Sequence, residues 1–154
     1  GERGRVKFIS RGDGSGTHVR EMMIWRMAGL KPGGDWYMES GQGMAQTLVM
    51  ASELGAYTLS DIGTYLALKG EGRLEGLEIL YTNSSELINI YSIYYTSSCK
   101  EGEWEAARGF MEFIISNQDL IEEYNRVAGG PLFHPAKGAD WLGIEWRRLA
   151  GYQG

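Results

Sequence analysis

The sequence predicts an α/β domain in which short strands alternate with helices around one hydrophobic core. Three observations support this fold class: apolar runs alternate with amphipathic stretches, glycine or hydroxyl side chains stand at most boundaries, and 43% of the 154 residues are hydrophobic. Folds of this class bind ligands at the carboxyl ends of their strands, so functional residues are sought in the loops that follow predicted strands.

The predicted elements alternate regularly through the first 69 residues. Strands are expected at 5–10, 35–40 and 56–60, and helices at 17–30, 41–54 and 61–69. The first strand, RVKFIS, is a β-branched and aromatic run that stops at a glycine-rich loop. Gly55 ends the second helix, and Ser60 or Asp61 caps the third. The apolar face of the first helix is formed by Val19, Met22, Met23, Trp25, Met27 and Leu30.

The rest of the chain predicts two further extended runs and three helices. The extended runs cover 77–82 and 87–95, and the second of them (LINIYSIYY) alternates isoleucine and tyrosine over part of its length. Helices are expected at 103–116, 118–126 and 141–149 from the spacing of their apolar residues.

The charge balance argues against nucleic acid as a partner. The formal net charge is -5 and the pI is about 5.1, so a broad basic surface for a phosphate backbone is not expected. The sequence as given contains no run of 18 apolar residues and no signal-peptide pattern. The single cysteine, Cys99, excludes an internal disulfide and cannot by itself form a cysteine-rich metal site.

The loop SRGDGSGTH, residues 10–18, combines features that bind a small anion. Its three glycines let the backbone adopt positive φ and approach a ligand closely. If the next helix begins near Ser15, the amides of Gly16, Thr17 and His18 converge with the hydroxyls of Ser15 and Thr17. Arg11 adds charge-assisted hydrogen bonds of roughly 1.5–3 kcal/mol each. Hydrogen bonds from the loop, rather than net charge, would hold the anion.

Other interpretations of these residues have less support. Glycine-rich turns with Ser or Thr caps are also common as structural features of α/β proteins. The loop is not a Walker A motif, because no lysine precedes its Ser or Thr, and it lacks the glycine spacing of a nucleophile elbow. His18 and His134 predict no metal site, and no spacing supports a hydrolase triad of Ser15, His134 and Asp61. Neither catalysis nor a metal site is expected.

Three blocks carry a resemblance to a known family. They are FISRGDGSGTHVREMMIWRMAGL at 8–30, WYMESGQGMAQTLVMASELGAYTLSDIGTYLAL at 36–68 and PLFHP at 131–135. In this order they resemble the substrate-binding proteins of tungstate ABC importers, within the type II periplasmic-binding-protein superfamily. The resemblance implies a lobe with a mixed sheet flanked by helices, plus a C-terminal portion of the other lobe. It also implies a periplasmic or extracellular receptor that delivers a tetrahedral oxyanion to an ABC transporter permease.

The family motif Arg-Gly-Asp-x-Ser-Gly-Thr suggests which residues bind the oxyanion. The resemblance implies anion contacts from Arg11, Ser15, Gly16 and Thr17, with Asp13 holding Arg11. It implies supporting roles for His18, Gly43 and Tyr57. The ligand would be a small inorganic oxyanion, tungstate or molybdate, with no cofactor. Phosphate stays an alternative, because it keeps a proton near neutral pH and benefits from an acceptor such as Asp13.

The sequence departs from the family pattern at its start. Family members begin with a long segment that carries a Thr/Ser-rich anion-binding loop, and this sequence starts where their second lobe starts. The resemblance therefore implies a second, anion-binding lobe at 1–90, and a hinge return with an incomplete part of the first lobe at 91–154. A missing N-terminal segment or a partner chain would complete the receptor. A ligand-sensing or interaction module of the same fold, without transport, is the other alternative.

Overall fold

The computed structural model describes residues 6–82, 84–91, 93, 96, 98, 100–128, 130 and 132–135. The chain divides into two compact units, Gly1–Leu87 and Ile88–Gly154. The first unit contains a sheet with three helices, and the described part of the second contains two helices. That these units correspond to the two lobes of a receptor, with a boundary near residue 90, stays a prediction.

Strands and helices alternate in the first unit as the sequence predicts. The elements are β1 (Phe8–Ser10), α1 (Gly16–Met27), β2 (Tyr37–Glu39), α2 (Met44–Leu54), β3 (Tyr57–Thr58) and α3 (Ile62–Gly70). Each helix begins after a cap residue in extended conformation, and Gly55 ends α2 in the left-handed region at φ +58°. The elements expected in the first 69 residues are confirmed.

The sheet has β1 at its centre. Its order is β2-β1-β3, and both pairings are parallel, with Phe8 opposite Tyr37 on one side and Tyr57 on the other. The described strands are therefore parallel rather than mixed, because each connection passes through a helix. Since the two neighbours of β1 lie on opposite sides, the carboxyl end of β1 is where a ligand is expected.

The core of the first unit lies between the sheet, α2 and α3. Ile9 in β1 and Leu48 in α2 are 0% and 1% exposed. Burial of such side chains contributes roughly 1.5–3 kcal/mol each, so the core holds β1 firmly beneath the loop. The buried apolar side chains form two clusters, which contain Met44, Leu48, Tyr65, Leu68 and Leu74 in one and Ile9, Ala51 and Ala56 in the other.

The predicted apolar face of α1 is wrong. Val19 and Met27 are 62% and 56% exposed, and Leu30 lies beyond the end of the helix. The buried residue of α1 is instead Glu21, which is 4% exposed. The helix meets the strands through Glu21, which accepts from Ser10 and Tyr37, and through the Trp25 ring, which packs against Phe8. Met22 and Met27 are exposed.

Residues 77–82 form no strand, so that prediction is wrong. The carbonyl of Leu77 accepts hydrogen bonds from the Tyr65 hydroxyl at 3.2 Å and from Lys69 Nζ at 3.0 Å. Lys69 also donates to the Glu78 carboxylate at 2.8 Å, and this hydrogen bond raises the pKa of Lys69. Side chains of α3 thus provide the hydrogen bonds to the Leu77 carbonyl that a neighbouring strand would provide in a sheet.

The described part of the run 87–95 is also not a strand. Leu87 ends a 3-10 turn (Ser85–Leu87), and residues 88–91 and 93 have no regular structure. The ring of Tyr91 packs edge-on against Phe133 with their centroids 5.9 Å apart, so an aromatic contact replaces the expected ladder pairing there. The other residues of this run lie outside the described part of the chain.

Two of the three helices predicted for the second unit are confirmed, as α4 (Glu101–Ser116) and α5 (Asp119–Val127). Helix α4 begins two positions earlier than expected, and the Glu103 carboxylate accepts from the Lys100 amide at 3.1 Å just before it. The helix predicted at 141–149 lies outside the described residues. None of the described helices is long and apolar enough to cross a membrane.

Candidate anion-binding site

The loop between β1 and α1 needs glycine at two positions. Gly12 and Gly14 have φ values of +63° and +71°, a region that L side chains rarely adopt. A Cβ on Gly12 would lie 2.7 Å from the Cβ of Glu39 at the end of β2. The predicted positive φ is confirmed at these two glycines, whereas Gly16 is the first residue of α1 and is helical.

Four backbone amides of the loop are used to build the loop itself. Each donates to a side chain of a nearby residue, so these N–H groups face inward rather than toward a ligand. The pairs are Gly12 to Ser10 Oγ (3.2 Å), Gly14 to His18 Nδ1 (2.9 Å), Ser15 to Asp13 Oδ1 (3.1 Å) and His18 to Ser15 Oγ (3.4 Å). The expectation that the His18 amide faces an anion is therefore wrong, because the capping hydroxyl of Ser15 takes it.

The amides of Gly16 and Thr17 remain available. They are the first two N–H groups of α1, which have no partner inside a helix, and no described residue provides an acceptor for them. The cap residue, Ser15, is neutral, and the nearest carboxylate, Asp13, accepts from the Ser15 amide at 3.1 Å and is paired with Arg11. Convergence of these two amides and the Thr17 hydroxyl on an anion stays a prediction.

Arg11 and Asp13 form an ion pair at the side of this helix end. Arg11 Nη2 lies 2.5 Å from Asp13 Oδ2, and the two side chains are 19% and 23% exposed. Hydrogen bonds from the Ser15 side chain, the Ser15 amide and Arg11 outweigh burial and lower the pKa of Asp13 to about 2. The carbonyl of Arg11 accepts from the Gly41 amide at 2.9 Å, which ties the loop to the turn after β2.

Arg11 Nε is buried and has no acceptor among the described residues. A buried donor without an acceptor lowers stability by about 1–3 kcal/mol, and by more when it belongs to a charged group. An acceptor from a ligand would remove this penalty. The guanidinium therefore keeps unused donor capacity even though Nη2 binds Asp13.

The three supporting residues have different positions. His18 Nδ1 accepts from the Gly14 amide, so its imidazole braces the loop. Gly43 caps α2 without a side-chain hydrogen bond, in the turn that Gly41 joins to Arg11. Tyr57 pairs with Phe8 at the amino end of β1, away from the end that carries the loop. The structure brings His18 to the loop but does not bring Tyr57 there.

Glu21 is a residue that the sequence interpretation missed. Its carboxylate accepts from the Ser10 hydroxyl at 2.6 Å, the Tyr37 hydroxyl at 2.8 Å and Trp25 Nε1 at 3.0 Å. The signal that could have revealed it is an acidic residue four positions before a tryptophan, on the helix face that meets the sheet. No group of three or more His, Cys, Asp or Glu side chains in the described ranges is arranged to hold a metal ion.

Comparison with known families agrees with this architecture. Residues 1–118 match the family model of the PBP superfamily domain. The chain belongs to the PBP superfamily. The predicted fold class, an α/β lobe of this superfamily, is therefore confirmed, and the glycine-rich loop lies at the carboxyl end of its central strand.

Several relatives within the PBP superfamily are named for tungstate. The chain is 42% identical over 136 residues to the tungstate-binding protein TupA of Peptoclostridium acidaminophilum, covering 85% of this chain and 46% of that protein. It is 33% identical over 135 residues to the tungstate-binding protein TupA of Campylobacter jejuni, covering 84% and 50%. The predicted resemblance to tungstate-binding proteins is confirmed. The chain spans about half the length of these curated relatives.

A solved structure of the same kind shares the fold. The tungstate-binding protein TupA from Desulfovibrio alaskensis G20 is similar with a TM-score of 0.61 and 31% identity, covering 76% of this chain and 50% of that chain. The similarity therefore includes parts of both compact units of this PBP-superfamily chain, since the first unit alone is Gly1–Leu87.

Proposed function

We propose that this chain forms an oxyanion-binding part of an extracytoplasmic substrate-binding protein that captures tungstate, or molybdate, for an ABC importer. The observation that carries the proposal is the pair of amides at Gly16 and Thr17, for which no described residue provides an acceptor, at a helix end capped by the neutral Ser15 beside Arg11. Relatives named as tungstate-binding proteins support the choice of ligand.

The donor set suits an anion that carries no proton. Tungstate and molybdate are fully deprotonated near neutral pH and require only donors, which the two amides, the Thr17 hydroxyl and the Arg11 guanidinium provide. Phosphate keeps a proton that needs an acceptor. The carboxylate of Asp13 already accepts from the Ser15 amide and from Arg11. The names of the relatives, rather than this carboxylate, favour tungstate over the phosphate alternative.

The unused Nε of Arg11 supports the same ligand. A tetrahedral oxyanion next to the guanidinium would supply the acceptor that this buried donor lacks. Because Asp13 already binds Nη2 of the guanidinium, the side chain needs little further ordering when the anion arrives.

Binding without catalysis is the consistent activity for this loop. Ser15 Oγ caps α1, and the His18 nitrogen that could act as a base, Nδ1, accepts from Gly14 instead. Ser15 is therefore not activated as a nucleophile. The partners we propose are the oxyanion itself, an ABC transporter permease, and the further part of the receptor that provides the other donors, with the protein in the periplasm or outside the cell.

Titration calorimetry on the full-length protein tests this function. Tungstate and molybdate should bind, and phosphate should bind much more weakly. Arg11→Ala should weaken tungstate binding at least about tenfold, the size of one charge-assisted hydrogen bond. Arg73→Ala is the matched control, since it removes an arginine that pairs with Glu71 at an exposed site away from the loop. Unchanged affinity in Arg11→Ala, or no binding of any tetrahedral oxyanion, would contradict the proposal.

A further inference from the structure

Glu21 is the one buried acidic residue of the first unit among those that the structure describes. It lies in α1, 4% exposed, and three donors from different elements converge on its carboxylate. Trp25 Nε1 and the Tyr37 hydroxyl donate to Oε1, whereas the Ser10 hydroxyl donates to Oε2. The two oxygens therefore have separate partners, and only Oε2 contacts β1.

Both oxygens of the carboxylate accept hydrogen bonds, two on Oε1 and one on Oε2. Burial first, and then the hydrogen bond to Glu21, raises the pKa of Tyr37 to about 12, so Tyr37 keeps its proton and remains a donor. An amide in place of this carboxylate would offer a single acceptor oxygen to three donors. Glutamine at this position therefore leaves at least one of these donors facing an NH₂ group.

Ser10 connects this carboxylate to the anion loop. Ser10 is the last residue of β1 and is 0% exposed. Because its hydrogen is directed to Glu21, a lone pair of the same oxygen is free to accept from the Gly12 amide at 3.2 Å. Ser10 and Gly12 flank Arg11, whose carbonyl is held in turn by Gly41. The backbone of Arg11 is thus fixed on both sides.

We propose that Glu21 is a positioning residue for oxyanion binding, which acts through Ser10 and the Gly12 amide to hold Arg11 and the start of the loop in the binding conformation. The inference rests on the proposed function for its affinity readout. It assigns Glu21 no contact with the ligand, because its carboxylate is buried and repels an anion. The carboxylate instead fixes the direction of the Ser10 hydroxyl.

A structural role alone would give a different pattern of effects. If Glu21 only stabilised the fold, loss of any one of its three donors would lower stability and leave the loop unchanged in the folded molecules. If Glu21 positions the loop, loss of the Ser10 hydroxyl alone should change tungstate affinity and the exchange of the Gly12 amide. Tyr37→Phe is the matched control, since it removes one hydroxyl that donates to Oε1, the oxygen that Ser10 does not use.

The test compares Ser10→Ala, Glu21→Gln, their double mutant and Tyr37→Phe in the full-length protein. Tungstate affinity is measured by calorimetry under conditions where circular dichroism shows each variant to be folded. Ser10→Ala and Glu21→Gln should each weaken tungstate about tenfold, the size of one charge-assisted hydrogen bond. The double mutant should bind tungstate as well as the single mutant with the lower affinity, because both changes break the same hydrogen-bond connection from Glu21 through Ser10 to Gly12. Tyr37→Phe should retain affinity within about twofold while losing stability.

A second readout needs no ligand. Hydrogen exchange of the Gly12 amide, followed by NMR, should become at least about tenfold faster in Ser10→Ala and Glu21→Gln and stay unchanged in Tyr37→Phe. If Glu21→Gln does not fold, Ser10→Ala alone decides both readouts. Normal affinity and normal Gly12 exchange in Ser10→Ala would overturn the inference. Failure of the unaltered protein to bind tungstate would instead overturn the proposed function, and Gly12 exchange would still test the link.

Discussion

Helices α1 and α3 both follow the carboxyl end of a parallel strand, yet they are capped by side chains of different charge. Asp61 caps α3, and its carboxylate accepts from the Thr64 amide at 2.7 Å and from the Thr64 hydroxyl at 2.9 Å. Ser15 caps α1 through a neutral hydroxyl that accepts from the His18 amide at 3.4 Å. The two helix ends share their backbone geometry and differ in electrostatics.

This difference indicates what makes a helix end suitable for a free anion. A capping carboxylate is an anion already attached to the chain, and it offsets the positive end of the helix dipole. A serine cap satisfies one amide and adds no charge of its own at the positive end. At α1 the nearby Asp13 carboxylate is paired with Arg11, whereas at α3 the capping Asp61 carboxylate would repel an approaching oxyanion. We therefore expect binding at α1 and none at α3.

Exchanging the two caps should have the largest effect. Ser15→Asp places a carboxylate where the oxyanion is proposed to bind, while Asp and Ser cap helices about equally well. Tungstate affinity should fall at least about 100-fold, which corresponds to 2.7 kcal/mol of repulsion. Titration calorimetry measures the affinity, and thermal unfolding should show that stability is retained.

The control for this exchange is Asp61→Ser. It changes the cap of α3 from charged to neutral and should alter tungstate affinity less than about twofold. The residues just before that helix, 59–61, include no arginine. If Asp61→Ser changes tungstate affinity strongly and Ser15→Asp does not, the anion binds at α3, and the contrast between the two helix ends is wrong.

The next largest effect concerns the backbone before each helix. The loop before α1 needs positive φ at Gly12 and Gly14, whereas the turn before α3 has no residue with positive φ. Gly12→Ala should lower the free energy of unfolding by about 2 kcal/mol or more, because left-handed strain adds to a clash with Glu39.

Gly14→Ala provides the matched comparison for Gly12→Ala. The backbone strain at Gly14 is similar, but an added Cβ there would have no atom within 4 Å. The free energy of unfolding should therefore fall by only about 1 kcal/mol. Urea denaturation of both variants measures the difference. Equal losses would mean that the loop is not packed against β2 as described.

The smallest effect is the pH dependence that Asp13 confers on the loop before α1. The pKa of Asp13 is about 2, below its usual value of 3.8, so the ionised form stabilises the folded state. This contribution is fully present above about pH 4 and is lost as the pH falls through about 2. The melting temperature of the wild type should therefore exceed that of Asp13→Asn at pH 5–7, and the difference should shrink toward pH 2.

A variant at an exposed position corrects for general charge effects in this comparison. Asp35→Asn removes the same charge outside the loop. A difference between wild type and Asp13→Asn that stays constant from pH 6 to pH 2, after this correction, would mean that the Arg11 and Ser15 contacts do not stabilise the carboxylate.

The elements up to residue 70 could be predicted because local signals agree with tertiary packing there. Ser15 and Asp61 cap helices at the expected positions, and Gly55 ends α2. The strand prediction was wrong for 77–82 and for the described part of 87–95. β-branched and aromatic residues show only that a segment could form a strand, and a strand also requires a partner strand. At Leu77 the partners are side chains of α3, which no local pattern reveals.

The candidate site was predicted in part. The glycine pattern and the Ser-Gly-Thr cap led directly to the loop and to the amides of Gly16 and Thr17. The role of Glu21 was not predicted, because its partners Ser10 and Tyr37 are distant in sequence and meet it only when β1 and β2 pair. Tyr57 could not be placed from sequence, since its position depends on the register of β3 against β1.

The most direct test of the account is the position of the bound metal atom. Crystals of the full-length protein grown with tungstate should show, at the tungsten absorption edge, an anomalous peak in front of α1. We predict oxyanion oxygens within about 2.7–3.2 Å of the amide nitrogens of Gly16 and Thr17, with Arg11 donating to the same anion. A bound tungstate that contacts neither amide, or one that sits at the Asp61 end of α3, would contradict the account.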